Sequence, residues 1–172
     1  MNNKTNIKLK ELTQNLVSDR YIEWMNNYEV TKLTELRFSK HTKKNVINFV
    51  NEKKKSKNEY LYGIFYVQNK AIHIGNIKLG PINNYHKYAE ISYFIGDLKF
   101  HNKGLATKAI EQILILAKKK YKLKKIIATL YSNNIASQKV LEKNKFKLEG
   151  RIKKKFIFKN RRLDQLIFGK VF

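Results

Sequence analysis

The chain has 172 residues, 42% of them apolar and 12% aromatic, with no cysteine and a formal net charge of +24. That size and apolar content support one folded domain over residues 1–172 with a substantial core, and the missing cysteines exclude a disulfide framework or a thiolate-held zinc. The charge comes from 32 Lys and only 5 Arg spread over almost every segment. This reads as a solvated surface with some pull on an anionic small ligand; an Arg-rich, clustered nucleic-acid face is not present. The four histidines are scattered, so no metal site is expected. The N-terminus is polar, and no apolar run approaches the roughly 18–20 residues of a membrane span, so a cytoplasmic protein is expected.

In chain order, Ile7 to Leu16 alternates as a first strand, and Asp19 to Asn27 reads as a short helix with an acidic N-cap. Val30 to Leu36 is a second apolar–polar stretch. Thr42 caps a helix with Val46, Ile47 and Val50 on one face, and the charge run Lys53 to Asn58 reads as its solvated end or a loop. Tyr60–Val67, Ala71–Leu79 and Tyr88–Ile95 are β-prone runs of an antiparallel meander, joined by a turn at Gln68–Lys70 and a loop at Gly80–Asn84. A helix from Gly104 to Tyr121 carries an apolar stripe through Ala106, Ala109, Ile110, Ile113, Leu114 and Ala117. Lys125–Tyr131 is a buried-type strand, and the strand–helix–strand unit favours a parallel pair with a right-handed crossover. Ile135–Lys143 is a short helix. Phe146–Glu149, Lys155–Phe158 and Leu163–Val171 read as closing strands, with a turn at Asn160–Arg161. The whole is a mixed α/β (α+β) fold.

Chemistry concentrates after Tyr93-Phe94-Ile95-Gly96. The polar loop His101-Asn102-Lys103-Gly104-Leu105-Ala106-Thr107 opens a long helix, so unpaired backbone N–H groups and the helix dipole form an anion cradle. Gly104 lets the backbone approach a ligand closely. The change from antiparallel to parallel strands splays the sheet at that point, where ligands enter open α/β sheets. Asn133 and Ser137 follow the neighbouring strand.

These residues resemble the GNAT superfamily of acyl-CoA-dependent N-acyltransferases. His101-Asn102-Lys103-Gly104-Leu105-Ala106 is similar to the family's Arg/Gln-x-x-Gly-x-Gly/Ala signature, departing at His101. Asn133, Ser137, Leu141, Glu142, Lys143 and Phe146 match a second signature, Asn-x-x-x-Ser-x-x-x-Leu-Glu-Lys-x-Gly-Phe, with Lys145 in place of its Gly. The resemblance extends over nearly the whole chain. It implies a mostly antiparallel twisted sheet, splayed at a central parallel pair, with helices on both faces. It also implies acetyl-CoA as co-substrate and no metal. Residues His101 to Thr107 would hold the pyrophosphate, Phe94 and Ile95 the pantetheine arm by strand addition, and Asn133 and Ser137 would bond the arm or brace the loop.

The implied reaction is direct attack of a neutral primary amine on the thioester, with a backbone N–H near Phe94 or Ile95 for the oxyanion. Glu90 is the candidate base, with a strand carboxylate paired to a neighbouring Lys as the alternative; His73 and His86 are also placed as bases, against packing or surface roles. The family's frequent Tyr acid is replaced by Glu142, leaving Ser137 or Tyr131 as substitutes. The segment Tyr21 to Val30 is similar to the branch containing ribosomal-protein N-terminal and amino-sugar acetyltransferases. There Trp24, Arg37, Phe38 and Arg161 would meet the acceptor, best read as a nucleotide-linked amino sugar. A protein N-terminus is the rival acceptor, and a non-catalytic acyl-CoA-binding or nucleic-acid-binding module the rival class. Monomer and homodimer are both open.

Overall fold

A computed structural model describes residues 6–172; the polar N-terminal residues 1–5 lie outside the described part. Seven strands form one sheet: β1 Ile7–Glu11, β2 Tyr60–Val67, β3 Ala71–Asn83, β4 Tyr88–Ile95, β5 Lys125–Tyr131, β6 Lys147–Phe158 and β7 Arg161–Val171. Their order is β1-β2-β3-β4-β5-β7-β6, and only β4 and β5 run parallel. The helices are α1 Asp19–Asn26, α2 Tyr28–Thr31, α3 Lys43–Lys55, α4 Leu105–Lys119 and α5 Ile135–Lys143.

Side-chain alternation along the strands feeds two separate cores. On one face Ile64, Ile77, Leu79 and Ile126 pack with Ala109, Ile110 and Ile113 of α4 and Leu141 of α5. On the other, Leu61 packs with Tyr21, Trp24 and Met25 of α1 and Val46 and Val50 of α3. The apolar stripe of α4 is therefore a core stripe, as its 3.6-residue period requires.

Local departures from the sequence reading have local causes. The first strand stops at Glu11, because Leu12 and Val17 turn into the second core and Gln14–Leu16 forms a 3-10 turn. Ser18, rather than Asp19, caps α1, its side chain accepting from the Tyr21 N–H. Glycine and proline at 80–81 do not end β3; the strand continues through an irregularity between Leu79 and Ile82. The run after Lys53 begins as helix, and Lys53 itself is buried. Its ammonium donates to Glu59 at 2.6 Å, and Lys78 donates to the other Glu59 oxygen at 2.8 Å, tying α3 to β2 and β3. The two short closing strands are one bulged strand, β6, and its turn to β7 is Lys159–Asn160, one residue earlier than expected. Both turn residues have positive φ, the geometry of a tight hairpin.

Candidate active site

Strands β4 and β5 pair only through Tyr88–Lys125, Ala89–Ile126 and Glu90–Ile127. Beyond Glu90, β5 keeps its bonds to β7 while the facing edge of β4, Ile91 to Ile95, has no strand partner among the described residues. The resulting fork opens into two clefts on either side of the sheet's end. Leu33, Thr34, Tyr93, Phe94, Asn134 and Ser137 line both, so the clefts meet there.

The smaller cleft, about 460 Å³, contains the whole expected loop, His101 through Thr107, together with Phe94 and Ile95. Gly104 is the N-cap of α4 with φ +70°, a left-handed conformation, and it supplies no side-chain cap. The first-turn N–H groups are thereby left for a ligand. A Cβ at Gly104 would meet nothing within 4 Å; glycine is required there by φ, and the space beyond it is open. His101 does not face the cradle as an arginine would. Its Nε2 lies 2.8 Å from the Ile95 carbonyl, bracing the loop against the end of β4. Lys32, Lys103, Lys139 and Lys143 surround the cleft, against one carboxylate, Glu29, which is paired with Lys32. A polyanion fits this field.

At the head of α5, Asn134 is the capping residue: its Oδ1 accepts from the Ser137 N–H at 3.2 Å. Asn133 is exposed and lines neither cleft. The expected asparagine role therefore moves by one residue, and the signal for it was available: an asparagine bonding the third helical N–H is an N-cap, and Ser137 is third after Asn134. Ser137 stands at the junction, and Tyr93, half-buried across the fork, donates to its carbonyl at 3.4 Å. Burial pushes the Tyr93 hydroxyl up to about 12.

The larger cleft, about 690 Å³, runs from the junction between α1, the segment 33–41, β3, β4 and β6. Its walls are largely apolar, with Met25, Leu36, Phe49, Phe94, Tyr131 and Phe156, and its charged or titratable side chains besides Tyr21, Tyr93 and Tyr131 are Glu35, His41, Lys78 and Lys155. The ring of Tyr131 stacks on Phe156 at 3.9 Å, and its hydroxyl donates to Glu35 at 2.6 Å while accepting from Arg37 at 3.1 Å. Burial and the Glu35 bond push that hydroxyl up to about 12. The phenol's proton is thus directed at Glu35.

Five of the residues expected to meet an acceptor or its proton are not brought together here. Glu90 is exposed at the closed end of the fork and lines neither cleft, because the strands still pair at that residue. Trp24 is buried in the second core, its indole against Gly96 and His73. Arg37 lines neither cleft; its guanidinium bonds the Lys32 and Ile157 carbonyls and Tyr131 and holds the chain together there. Phe38 and Arg161 are exposed and outside both clefts. The histidines resolve likewise. His73 is enclosed by Phe65, Tyr21 and Trp24, and burial lowers its pKa; His86 lies in an exposed turn. Sequence reasoning missed Glu35, Tyr93 and the Leu33–Thr34 segment, none of which carries a local motif.

Comparison with known proteins places this geometry. Residues 7–147 match the family described as acetyltransferase (GNAT) domain, and the chain belongs to that family. No curated protein matches it. Among solved structures, RimL, the ribosomal L7/L12 alpha-N-protein acetyltransferase in complex with coenzyme A, superposes with a TM-score of 0.84 at 17% identity, over 96–98% of the present chain in this group; for RimL the coverage is 98% of this chain and 95% of that one. The microcin C7 self-immunity acetyltransferase MccE, with acetyl-CoA and AMP, gives 0.81 at 20% identity over 97% and 93%. A GNAT acetyltransferase from Bacillus anthracis gives 0.81 at 24% over 96% and 95%, and a spermidine acetyltransferase SpeG mutant from Vibrio cholerae 0.79 at 20% over 98% and 95%. The protein is thus an acetyl-CoA-dependent N-acetyltransferase with the GNAT fold. Among the described residues, no helix is long and apolar enough to cross a membrane, and no group of three His, Cys, Asp or Glu could hold a metal.

Proposed function

We propose that the chain acetylates a primary amine carried by a nucleotide-linked amino sugar, with acetyl-CoA in the smaller cleft and the acceptor in the larger. The observation that carries this reading is the meeting of the two clefts along the unpaired edge of β4. The amides of a pantetheine arm extend the sheet at Ile91 to Ile95, in the manner of strand addition, which sets the thioester at Tyr93 and Phe94. The α4 N-terminus takes the pyrophosphate. The amine nitrogen forms its bond to the acyl carbon, an N–H of the β4 edge bonds the developing oxyanion, and the carbon–sulfur bond breaks. The thiolate leaves close to its free form, with a thiol pKa near about 8.5, and Ser137 at the junction is positioned to return a proton to it.

For the acceptor, the support is electrostatic. Lys155 and Lys78, the latter ion-paired with Glu59, line the larger cleft with one carboxylate, Glu35, and aromatic walls suit a sugar or base face. A polycation such as spermidine finds a single carboxylate there, whereas a phosphate-bearing acceptor finds the ammonium of Lys155. The AMP bound by MccE is consistent with a nucleotide-bearing ligand in this fold. The test is thiol release from acetyl-CoA with a UDP-linked amino sugar, spermidine and an N-terminal peptide. Stimulation by the sugar nucleotide above the others is expected; preference for peptide or polyamine reverses the acceptor, and no stimulation by any amine defeats the reading.

A further inference from the structure

Among the residues lining the larger cleft, Glu35 supplies the only carboxylate, and it stands one residue from Thr34, which lines both clefts. Its position is built. The 3-10 turn Glu35–Phe38 is clamped to the far side of the fork by Arg37, whose guanidinium bonds Tyr131 and the Ile157 carbonyl at 2.8 Å and lies over the rings of Phe38, Tyr131 and Phe158. Tyr131 then fixes one carboxylate oxygen: its hydroxyl donates to Oε1 at 2.6 Å. That hydroxyl is itself held by the Arg37 bond and by ring stacking on Phe156. One carboxylate oxygen is thus engaged, and among the described residues no bond is made by the other. The other titratable side chains at this cleft are Tyr21, Tyr93, His41 before α3, Lys78 on β3, which is ion-paired with Glu59, and Lys155 on β6, with Arg37 behind Tyr131.

We infer that Glu35 is the carboxylate that receives the acceptor's ammonium group and takes its proton, with Tyr131 as the positioning residue that holds it. This rests on the transferase reading above. A primary alkylamine reaches the cleft protonated and unreactive, so one proton must leave before attack. The free Glu35 oxygen accepts that proton from R–NH3+, giving R–NH2 and a neutral carboxyl group that passes the proton to water. The amine lone pair then forms the N–C bond as the C–S bond breaks, and the second amine proton is lost to water or to the departing thiolate. A lone anion in a largely apolar cleft also selects where the acceptor's nitrogen sits: its anionic part goes toward Lys155 and its ammonium toward the junction. Glu90, outside the clefts, cannot do this.

Glu35→Gln keeps the size and the Tyr131 contact while removing the charge. In the full-length protein, thiol release from acetyl-CoA with a UDP-linked amino sugar should lose at least about 100-fold in kcat/KM, with the Kd for CoA unchanged within about twofold. Glu35→Asp should recover part of kcat. Tyr131→Phe should lose about tenfold, in kcat more than in KM, since the carboxylate remains but is no longer held. Equilibrium binding of the same sugar nucleotide to the CoA-loaded protein gives a readout without turnover. It should weaken at least about tenfold in Glu35→Gln. If wild-type protein turns over amines and Glu35→Gln retains both kcat/KM and binding, the assignment fails and the transferase reading stands. If no amine stimulates release, the transferase reading fails; equal binding by wild type and Glu35→Gln would then overturn this inference too, and loss of binding in the variant would support an ammonium site at Glu35.

Discussion

The smaller cleft takes its polar character from backbone: a seven-residue loop and the first turn of α4, contiguous in sequence and held open by one left-handed glycine. The larger cleft takes its character from side chains on α1, the segment 33–41, α3, β3, β4, β5, β6 and β7. The first recognises what every acyl-CoA shares and needs little side-chain identity. The second recognises one acceptor and can change with any of its walls. The two regions should therefore respond differently to substitution, and a third region, the core beneath their junction, should respond differently from both. Trp24→Ala would empty a buried site packed on Gly96, His73 and Tyr21, with an expected loss of about 3–5 kcal/mol in chemical denaturation and CoA affinity of the folded protein within about twofold. Unchanged stability with a raised acceptor KM would instead return Trp24 to the acceptor cleft. Next in size, Gly104→Glu sets a carboxylate in the open space of the cradle and forces a non-glycine residue to φ +70°. CoA binding measured by calorimetry should weaken at least about 100-fold, or about 2.7 kcal/mol. Gly104→Ala carries only the conformational cost of about 1 kcal/mol and separates the two effects.

That contrast also explains what could be read from the sequence. A helix stripe at Ala109, Ile110, Ile113 and Leu114, strand runs at 60–67 and 88–95, and a glycine loop before a helix are each local, so periodicity and spacing reveal them. Tyr131 and Glu35 are separated by 96 positions, and nothing local to either residue anticipates their bond. The amphipathic helix around Trp24 shows which side is apolar but not whether that side meets a ligand or, as it does, a second core. Glu90 was placed on a strand entering the fork, and it does lie there. The register that closes the fork at Glu90–Ile127 depends on where β5 turns away, which no residue pattern records. Arg37, expected to meet the acceptor, directs its guanidinium at the backbone carbonyls of Lys32 and Ile157, which lie far from it in sequence or on another element.

The smallest expected effect is the sharpest test of how backbone and side chain share the work at the junction. Asn134 caps α5 through the Ser137 N–H and lines both clefts, whereas Asn133 beside it does neither. Asn134→Ala should lose about 1 kcal/mol of stability, and Asn133→Ala should stay within about 0.5 kcal/mol of wild type. Because the cap fixes the first turn of α5, its loss should also loosen Ser137 at the point where the thiolate leaves, lowering kcat by a few-fold. Asn134→Asp and Asn134→Ser retain an oxygen able to accept from the Ser137 N–H and should recover most of the stability. A larger loss in Asn133→Ala than in Asn134→Ala would reverse the assignment. Equal stability with lower kcat in Asn134→Ala would mean that the asparagine touches the acyl arm itself and that the cap is incidental.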